Sequence, residues 1–446
     1  MEPQLDWSAY DSYGAGDAYA QLPADGGAYG KAAALCIGSR QCQRAEKGVM
    51  CPSYRATLDD THSTRFRAAT LKAALNGELG AQPFVGPELA AAMDLCVSCK
   101  GCMRECPNGV DMAKMRSEYL AQRWQQQRMP LRERLFASLP QLAPWAARLS
   151  WLFALRERVP GVAWLTERWL GIAARRSLPR WSRRPFLAPA VEQQPTLVPE
   201  GREVVLLVDT FSNYFEPDTA AAARAVLQAA GYVVHIATPA QGERALCCGR
   251  TAFSAGRIRE ARREAQRLLD ALWPHVERGL PVIGLEPSCL LMLRDEYYAL
   301  GLGPRTEKIA KAALLLEEFL AREHDAKRLQ LAFKPLAMPR ALVHGHCHQK
   351  AFGAMKAMRR VLGLVPQLEV EFVESSCCGM AGAFGFEAEH YDISMKMGEL
   401  ALLPAMRAAD TDTLLVANGA SCRHQIRDGA QREARHFVHL LHAALA

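Results

Sequence analysis

The sequence contains no uncharged apolar run of about 18 residues, the length a helix needs to cross a bilayer, so a spanning helix is not expected. Its start has no basic stretch leading into an apolar one. Met1 to Gly30 carries Asp6, Asp11, Asp17 and Asp25 among alanines, glycines and tyrosines, so a secretory leader is not expected there. No recognition module accompanies the net charge of +7, and nucleic acid is not an expected partner. Residues 121–198 lack cysteine altogether, although the chain has fourteen. Apolar and charged shares of 50% and 23% are ordinary for a globular protein. A length of 446 residues predicts two or three domains. A cytoplasmic location is expected, either free or peripheral on the inner face of the membrane.

The cysteines are therefore the feature to explain. A cytoplasmic chain does not keep fourteen of them as disulfides, and their clustering points to metal ligation. Seven lie in residues 30–120 and seven in residues 199–446. Cys96, Cys99, Cys102 and Cys106, followed by Pro107, give C-x2-C-x2-C-x3-C-P, the bacterial ferredoxin run. Two-residue gaps let the chain wrap a cubane. Pro107 stops the turn and turns the fourth cysteine toward a second cluster. A structural zinc site, the alternative, usually splits its four ligands into two pairs.

An earlier partner motif exists in Cys36, Cys42 and Cys51-Pro52, with Ser39 where a further cysteine would stand. The crossed rule of two-cluster ferredoxins assigns Cys51, Cys96, Cys99 and Cys102 to one 4Fe-4S cluster, and Cys36, Cys42 and Cys106 to the other. That second cluster is one thiolate short. A 3Fe-4S cluster, ligation by Ser39 oxygen and a ligand from elsewhere are all open.

Residues 199–446 alternate strand-like and helix-like segments, which implies parallel sheets with crossover helices. They also contain a repeat, at about 203–300 and 340–430. The first half holds Cys247-Cys248-Gly249 and Cys289; the second holds Cys347, Cys377-Cys378-Gly379 and Cys422. All follow predicted strands, so they should gather at the carboxyl ends of the sheets. Aligning Val208–Ser212 with Val343–Cys347 puts Ser212 opposite Cys347, leaving the first half one thiolate short. A further iron–sulfur group or zinc is expected at the second repeat. At the first, a metal and a reduced thiol pair are both open. His344, His346 and His348 alternate beside Cys347 and could line the pocket from one strand face.

The cysteine-free middle holds six of the eight tryptophans, from Trp124 to Trp181, interleaved with arginine. It reads as amphipathic helix broken at Pro160 and Pro179. Such helices suit a membrane surface. They also suit a linker packing on its own domains with snorkelling arginine stems, the favoured reading.

Several motifs resemble the iron–sulfur half of FAD-linked D-2-hydroxy-acid dehydrogenases. This group includes large D-lactate and D-2-hydroxyglutarate dehydrogenases and, more distantly, the glycolate oxidase iron–sulfur subunit. The motifs are Cys36-Ile37-Gly38, Met50-Cys51-Pro52-Ser53-Tyr54-Arg55, His62-Ser63-Thr64-Arg65, Asp94-Leu95-Cys96, Val110-Asp111-Met112, Leu246-Cys247-Cys248-Gly249-Arg250, Glu286-Pro287-Ser288-Cys289, His346-Cys347-His348-Gln349-Lys350 and Cys377-Cys378-Gly379-Met380. Phe66 departs from the pattern, standing where the group has glycine. The resemblance implies an electron-transfer subunit that takes electrons from a separate FAD-containing dehydrogenase subunit, since no flavin fold fits before Cys36, and passes them to quinone or another acceptor. The double CCG pattern also resembles heterodisulfide reductase, and a zinc or redox sensor scaffold is a third reading.

The expected architecture is α+β. A flexible leader or docking arm spans 1–29, a helical two-cluster ferredoxin-like domain 30–120, and a basic helical linker 121–198. An α/β double CCG-repeat domain spans 199–446.

Overall fold

The computed structural model describes residues 1–15, 21–46, 48–187 and 202–446. Helix takes 52% and strand 8%, and the fold class is α+β. The strands form two small parallel sheets. In the first, β1 (Arg202–Leu207) lies between β2 (Tyr232–Ile236) and β3 (Val282–Gly284), and β3 also pairs with β4 (Ala313–Leu315). In the second, β5 (Arg340–His344) lies between β6 (Glu369–Phe372) and β7 (Thr413–Ala417). Central β1 is buried from Val204 to Leu207, as an apolar run in a parallel sheet covered on both faces should be. Short β4 carries no strong strand signal and was not expected.

Register gives the correspondence between repeats. Leu207 pairs with Gly284, and His344 pairs with Ala417. Beyond these residues the chain turns into short helices capped by Asp209 and His346. Thr210, not Ser212, is therefore the counterpart of Cys347, both being the first residue of their helix. Aligning the sequences alone errs by two residues because the cap side chain, rather than the strand length, fixes where each helix starts.

Of the two readings of the leader, the docking arm describes its first residues. Its first fifteen residues lie strapped across the molecule. The backbone N–H groups of Gln4 and Leu5 donate to the Glu118 carboxylate, both at 2.8 Å, and Trp7 Nε1 donates to it at 3.2 Å. Asp6 N donates to Ala299 O at 2.7 Å. Leu5 and Trp7 are buried, anchors that stabilise by about 1.5–3 kcal/mol apiece. Ala/Gly-rich composition conceals this docking, because two side chains and one carboxylate achieve it. Residues 16–20 lie outside the described residues.

The middle region forms four short helices, Leu131–Ala137, Leu139–Arg148, Ser150–Arg158 and Val162–Leu170. They attach to the repeats through a few buried arginines. Arg156 donates to Ala173 O and Arg176 O, both at 2.7 Å, and Arg176 Nε donates to Gly385 O at 2.9 Å. The last part of the expected linker, 188–198, lies outside the described residues. Phe66 needs no glycine-type turn: it sits in the first turn of the helix Thr64–Leu75, where its N–H donates to the Ser63 cap at 3.1 Å.

Candidate metal centres

Cys51, Cys96, Cys99 and Cys102 line one small cavity, together with Thr64, Arg67 and Lys100. The chain reaches this arrangement by close backbone approach. A Cβ on Gly101 would stand 3.0 Å from Met50 Cα, so glycine is required there. Glu105 then accepts from Val49 N at 2.6 Å and Met50 N at 2.8 Å, fixing the segment that presents Cys51. Cys51, Ser98 and Lys100 are held at φ 53°, 48° and 61°. Left-handed backbone at non-glycine residues costs about 1 kcal/mol or more each, and strain concentrated around four thiols marks a functional loop.

The electrostatics test whether an anionic cluster fits. Arg67 is fully buried, and its guanidinium donates to Ala92 O at 2.9 Å, Ser53 Oγ at 2.8 Å and Cys51 Sγ at 3.5 Å. Burial would lower its pKa, but Cys51, Cys96 and Cys102 outweigh that and raise it. Its hydrogen-bond partners include no carboxylate. A buried guanidinium facing only thiols and neutral acceptors is compensated when those thiols are thiolates, as they are around iron. The residues therefore fit a four-thiolate cluster.

Around the other ferredoxin-type set, Cys42 lies beside Cys36, and burial pushes its thiol pKa up. Arg65 N donates to Cys42 Sγ at 3.3 Å. Asn108, two residues after Cys106, donates to Leu35 O at 2.8 Å, which ties the turn carrying Cys106 to the segment carrying Cys36.

In the second repeat Cys347, Cys377, Cys378 and Cys422 form a chain of thiol contacts: Cys347 with Cys377, Cys377 with Cys378, and Cys378 with Cys422. Gly379 N donates to Cys377 Sγ at 3.4 Å. Lys350, partly buried, donates to Ser375 O at 2.6 Å and Ser376 O at 3.1 Å. Burial lowers its pKa, against the pull of the four thiols. This is a cation whose partners are neutral acceptors and thiols, and the set fits a thiolate-bound metal. The three histidines do not share a strand face, because β5 ends at His344, His346 caps the next helix and His348 lies within it. Burial brings His344 and His348 down to about 4, so both are neutral at neutral pH. His344 bonds Ser375 Oγ through Nδ1 at 2.9 Å and also contacts Cys378, while His348 Nδ1 is buried without a hydrogen-bond partner.

The first repeat brings together Cys247, Cys248 and Cys289. Thr210 completes the set, its hydroxyl bonding Cys247 where Cys347 bonds Cys377. Here the neighbours include two acids as well as Arg250. Although Cys248 hydrogen-bonds it, the Cys289 thiol is pushed up to about 12 by burial and by Asp209 and Glu286. Burial, then Glu286, raises Asp209 to about 6.

Comparison with known proteins follows this division. Residues 32–110 match the 4Fe-4S dicluster domain, and residues 210–294 and 341–427 match the cysteine-rich domain. A D-2-hydroxyglutarate dehydrogenase of Escherichia coli is 25% identical over 91% of this chain and 43% of its own length. The glycolate oxidase iron–sulfur subunit of the same organism is 24% identical over 89% of this chain and 91% of its own length. One subunit of its anaerobic glycerol-3-phosphate dehydrogenase is 29% identical over 62% of this chain and 68% of its own length. The chain thus spans less than half the length of the D-2-hydroxyglutarate dehydrogenase. The chain carries one match to a dicluster domain and two to a cysteine-rich domain. Its likeness is to the iron–sulfur half of FAD-linked dehydrogenases.

The dicluster domain meets the two cysteine-rich repeats differently. Toward the first, Lys100 is fully buried between Asp111 at 2.7 Å, Asp295, and Glu296 at 3.3 Å. Burial would lower its pKa, but the three carboxylates raise it well above the usual lysine range. Glu296 also pairs with Arg250 at 2.6 Å, next to Cys248 and Cys289. Toward the second, Cys99 feels Cys347 directly, and His348 Nε2 donates to Ser98 O at 3.2 Å. Spacing alone does not reveal Arg67, Lys100, Lys350 or Glu296. Lys100 and Lys350 stand inside or beside the cysteine motifs, but only burial shows that they carry charge into the sites.

Proposed function

We propose that this chain is the iron–sulfur electron-transfer subunit of a FAD-dependent 2-hydroxy-acid dehydrogenase of the glycolate, D-lactate or D-2-hydroxyglutarate type. It takes electrons from a separate flavoprotein and hands them to quinone or another acceptor, with peripheral contact to the membrane where a quinone resides. The observation that carries this reading is the buried cavity in which Cys51 joins Cys96, Cys99 and Cys102 against Arg67, with Cys99 within electrostatic reach of Cys347.

Clusters on these thiolates would supply one-electron transfer. Cys51, Cys96, Cys99 and Cys102 would hold one 4Fe-4S cluster. Cys36, Cys42 and Cys106 would hold the other, as 3Fe-4S or with a further ligand. Cys347, Cys377, Cys378 and Cys422 would hold a further iron–sulfur group or zinc. Cys247, Cys248 and Cys289 form the weaker set. The chain's own residues hold thiolate charge and exclude water: Arg67 and Thr64 donate to Cys51 Sγ, each at 3.5 Å, and such donors to sulfur set potential.

Iron and acid-labile sulfide assays with low-temperature EPR on anaerobically purified protein test the proposal. Cys99→Ala should erase one cluster signal and leave the others. An iron-free, colourless protein, or a spectrum unchanged by Cys99→Ala, overturns it.

A further inference from the structure

The helices Ser150–Arg158 and Val162–Leu170 are apolar in sequence yet bury almost nothing. The first buries only Arg156, and the second buries no residue. Thirteen of the twenty-one exposed large apolar side chains found among the described residues lie between Leu131 and Trp169. Trp145 is 64% exposed, Trp151 52%, Trp164 62% and Trp169 81%. A chain does not usually leave four tryptophans in water, and an exposed apolar surface of this kind marks an interaction site.

The charge around it chooses the partner. From Leu131 to Leu187 the sequence holds eleven arginines against three glutamates, with no aspartate or lysine. Arg148, Arg158 and Arg168 stand exposed on the same helices as the tryptophans, and the Arg148 guanidinium lies 5.5 Å from the Trp145 ring centroid. Tryptophan and leucine beside exposed arginine on helices that pack against each other suit a surface that is apolar beneath and anionic on top, which is a phospholipid headgroup layer. No described helix is long and apolar enough to cross a bilayer, so the contact lies in the plane of the interface.

We propose that the helices between Leu131 and Leu170 form a docking face for an anionic phospholipid bilayer, inserting Trp145, Trp151, Trp164 and Trp169 at headgroup depth with the flanking arginines on lipid phosphate. The inference deepens the membrane contact in the reading above and rests on it only for its purpose. The favoured linker reading holds for the opposite face, where Pro140, Ala143, Ala146 and Ala147 are buried, Ala143 and Ala147 against Tyr214, and where Arg156 and Arg176 face inward.

Vesicle co-sedimentation of the full, cluster-loaded chain tests it without any electron donor. The probes are phosphatidylcholine vesicles and phosphatidylcholine–phosphatidylglycerol vesicles. Binding should favour the anionic vesicles and weaken with salt. Trp164→Ser with Trp169→Ser should lower it about tenfold, and Arg158→Gln with Arg168→Gln by about as much on anionic vesicles, since each basic group near the surface contributes on the order of 1 kcal/mol. Unchanged iron content in both variants separates this result from misfolding. No sedimentation with either vesicle overturns the proposal, as does binding that neither pair of substitutions changes. A dimer in solution that dissociates in the Trp164→Ser, Trp169→Ser protein and ignores vesicles also overturns it, and assigns the face to a second copy. A chain that holds its clusters but ignores lipid sinks the docking face alone, and one that binds lipid without iron sinks the electron-carrier reading alone.

Discussion

The two halves of the cysteine-rich domain share a scaffold and differ in the charge they place around sulfur. Each has a central parallel strand, a capped helix at its end and a CCG turn. The second half sets Lys350 and His346, the latter raised to about 9 against burial chiefly by Cys347, beside its four thiols, with Glu286 facing Cys422. The first sets Arg250 beside Cys248 and Cys289, but both Asp209 and Glu286 against Cys289. A cation beside sulfur favours thiolate and hence metal, whereas carboxylates favour the protonated thiol. Carboxylates thus weigh more heavily on the first set, which is expected to hold a metal less firmly than the second.

The largest expected effect comes from breaking the stronger half. Cys422→Ser should remove the metal of the second repeat completely, leaving the dicluster signals in place. Metal analysis of the variant checks this, and an undiminished content would show that the halves do not differ as described. Next is the link to the first half. Lys100→Met leaves Asp111, Asp295 and Glu296 buried without their ammonium, a loss of about 3–5 kcal/mol by analogy with broken buried ion pairs. Denaturant unfolding measures it, and a change under about 1 kcal/mol, the size of a surface pair, would remove Lys100 as the tie.

A smaller effect concerns the joint between the halves. Glu317, on the helix after β4, accepts from Gln349 Nε2 beside Cys347 and from Asn418 Nδ2 at 3.4 Å. Burial pushes it up from 4.5 to about 8. With the folded pKa above the unfolded one, the folded state binds the extra proton between these values. The contribution of Glu317 to stability is therefore fullest below pH 4.5 and falls as pH rises toward about 8, by about 1.4 kcal/mol per pH unit at most. Glu317→Gln should flatten that slope in melting curves taken across the window, and an identical slope in both proteins would rule the group out. The smallest effect sharpens the contrast: Thr210→Cys supplies the fourth thiol of the first half and should raise its metal content only partly, because Asp209 and Glu286 remain. Full occupancy, read as metal per chain, would mean that thiol number alone separates the halves.

The sites differ in how far they can be read from the residues. Ferredoxin spacing is legible because the ligands of one cluster are neighbours in sequence, and the parallel sheets are legible in Val204–Val208 and Leu414–Val416. Thr210 is not, because the cap just upstream decides the helix start. Arg67, Lys100 and Lys350 are not, because sequence does not say which cations lose their water. The N-terminal arm is hidden for a different reason: its anchoring depends on Glu118, more than a hundred residues away.

The contact between His348 and Ser98 O bears on maturation. Val97 and Cys99 share one apolar cluster with Cys347, Cys377, Cys378 and Cys422, and Ser376 Oγ donates to Val49 O on the segment leading to Cys51. The second repeat thus covers one side of the loop from Cys96 to Cys102. A cluster built on that loop would be screened on this side, so its iron and sulfide are expected to arrive before the repeat packs there.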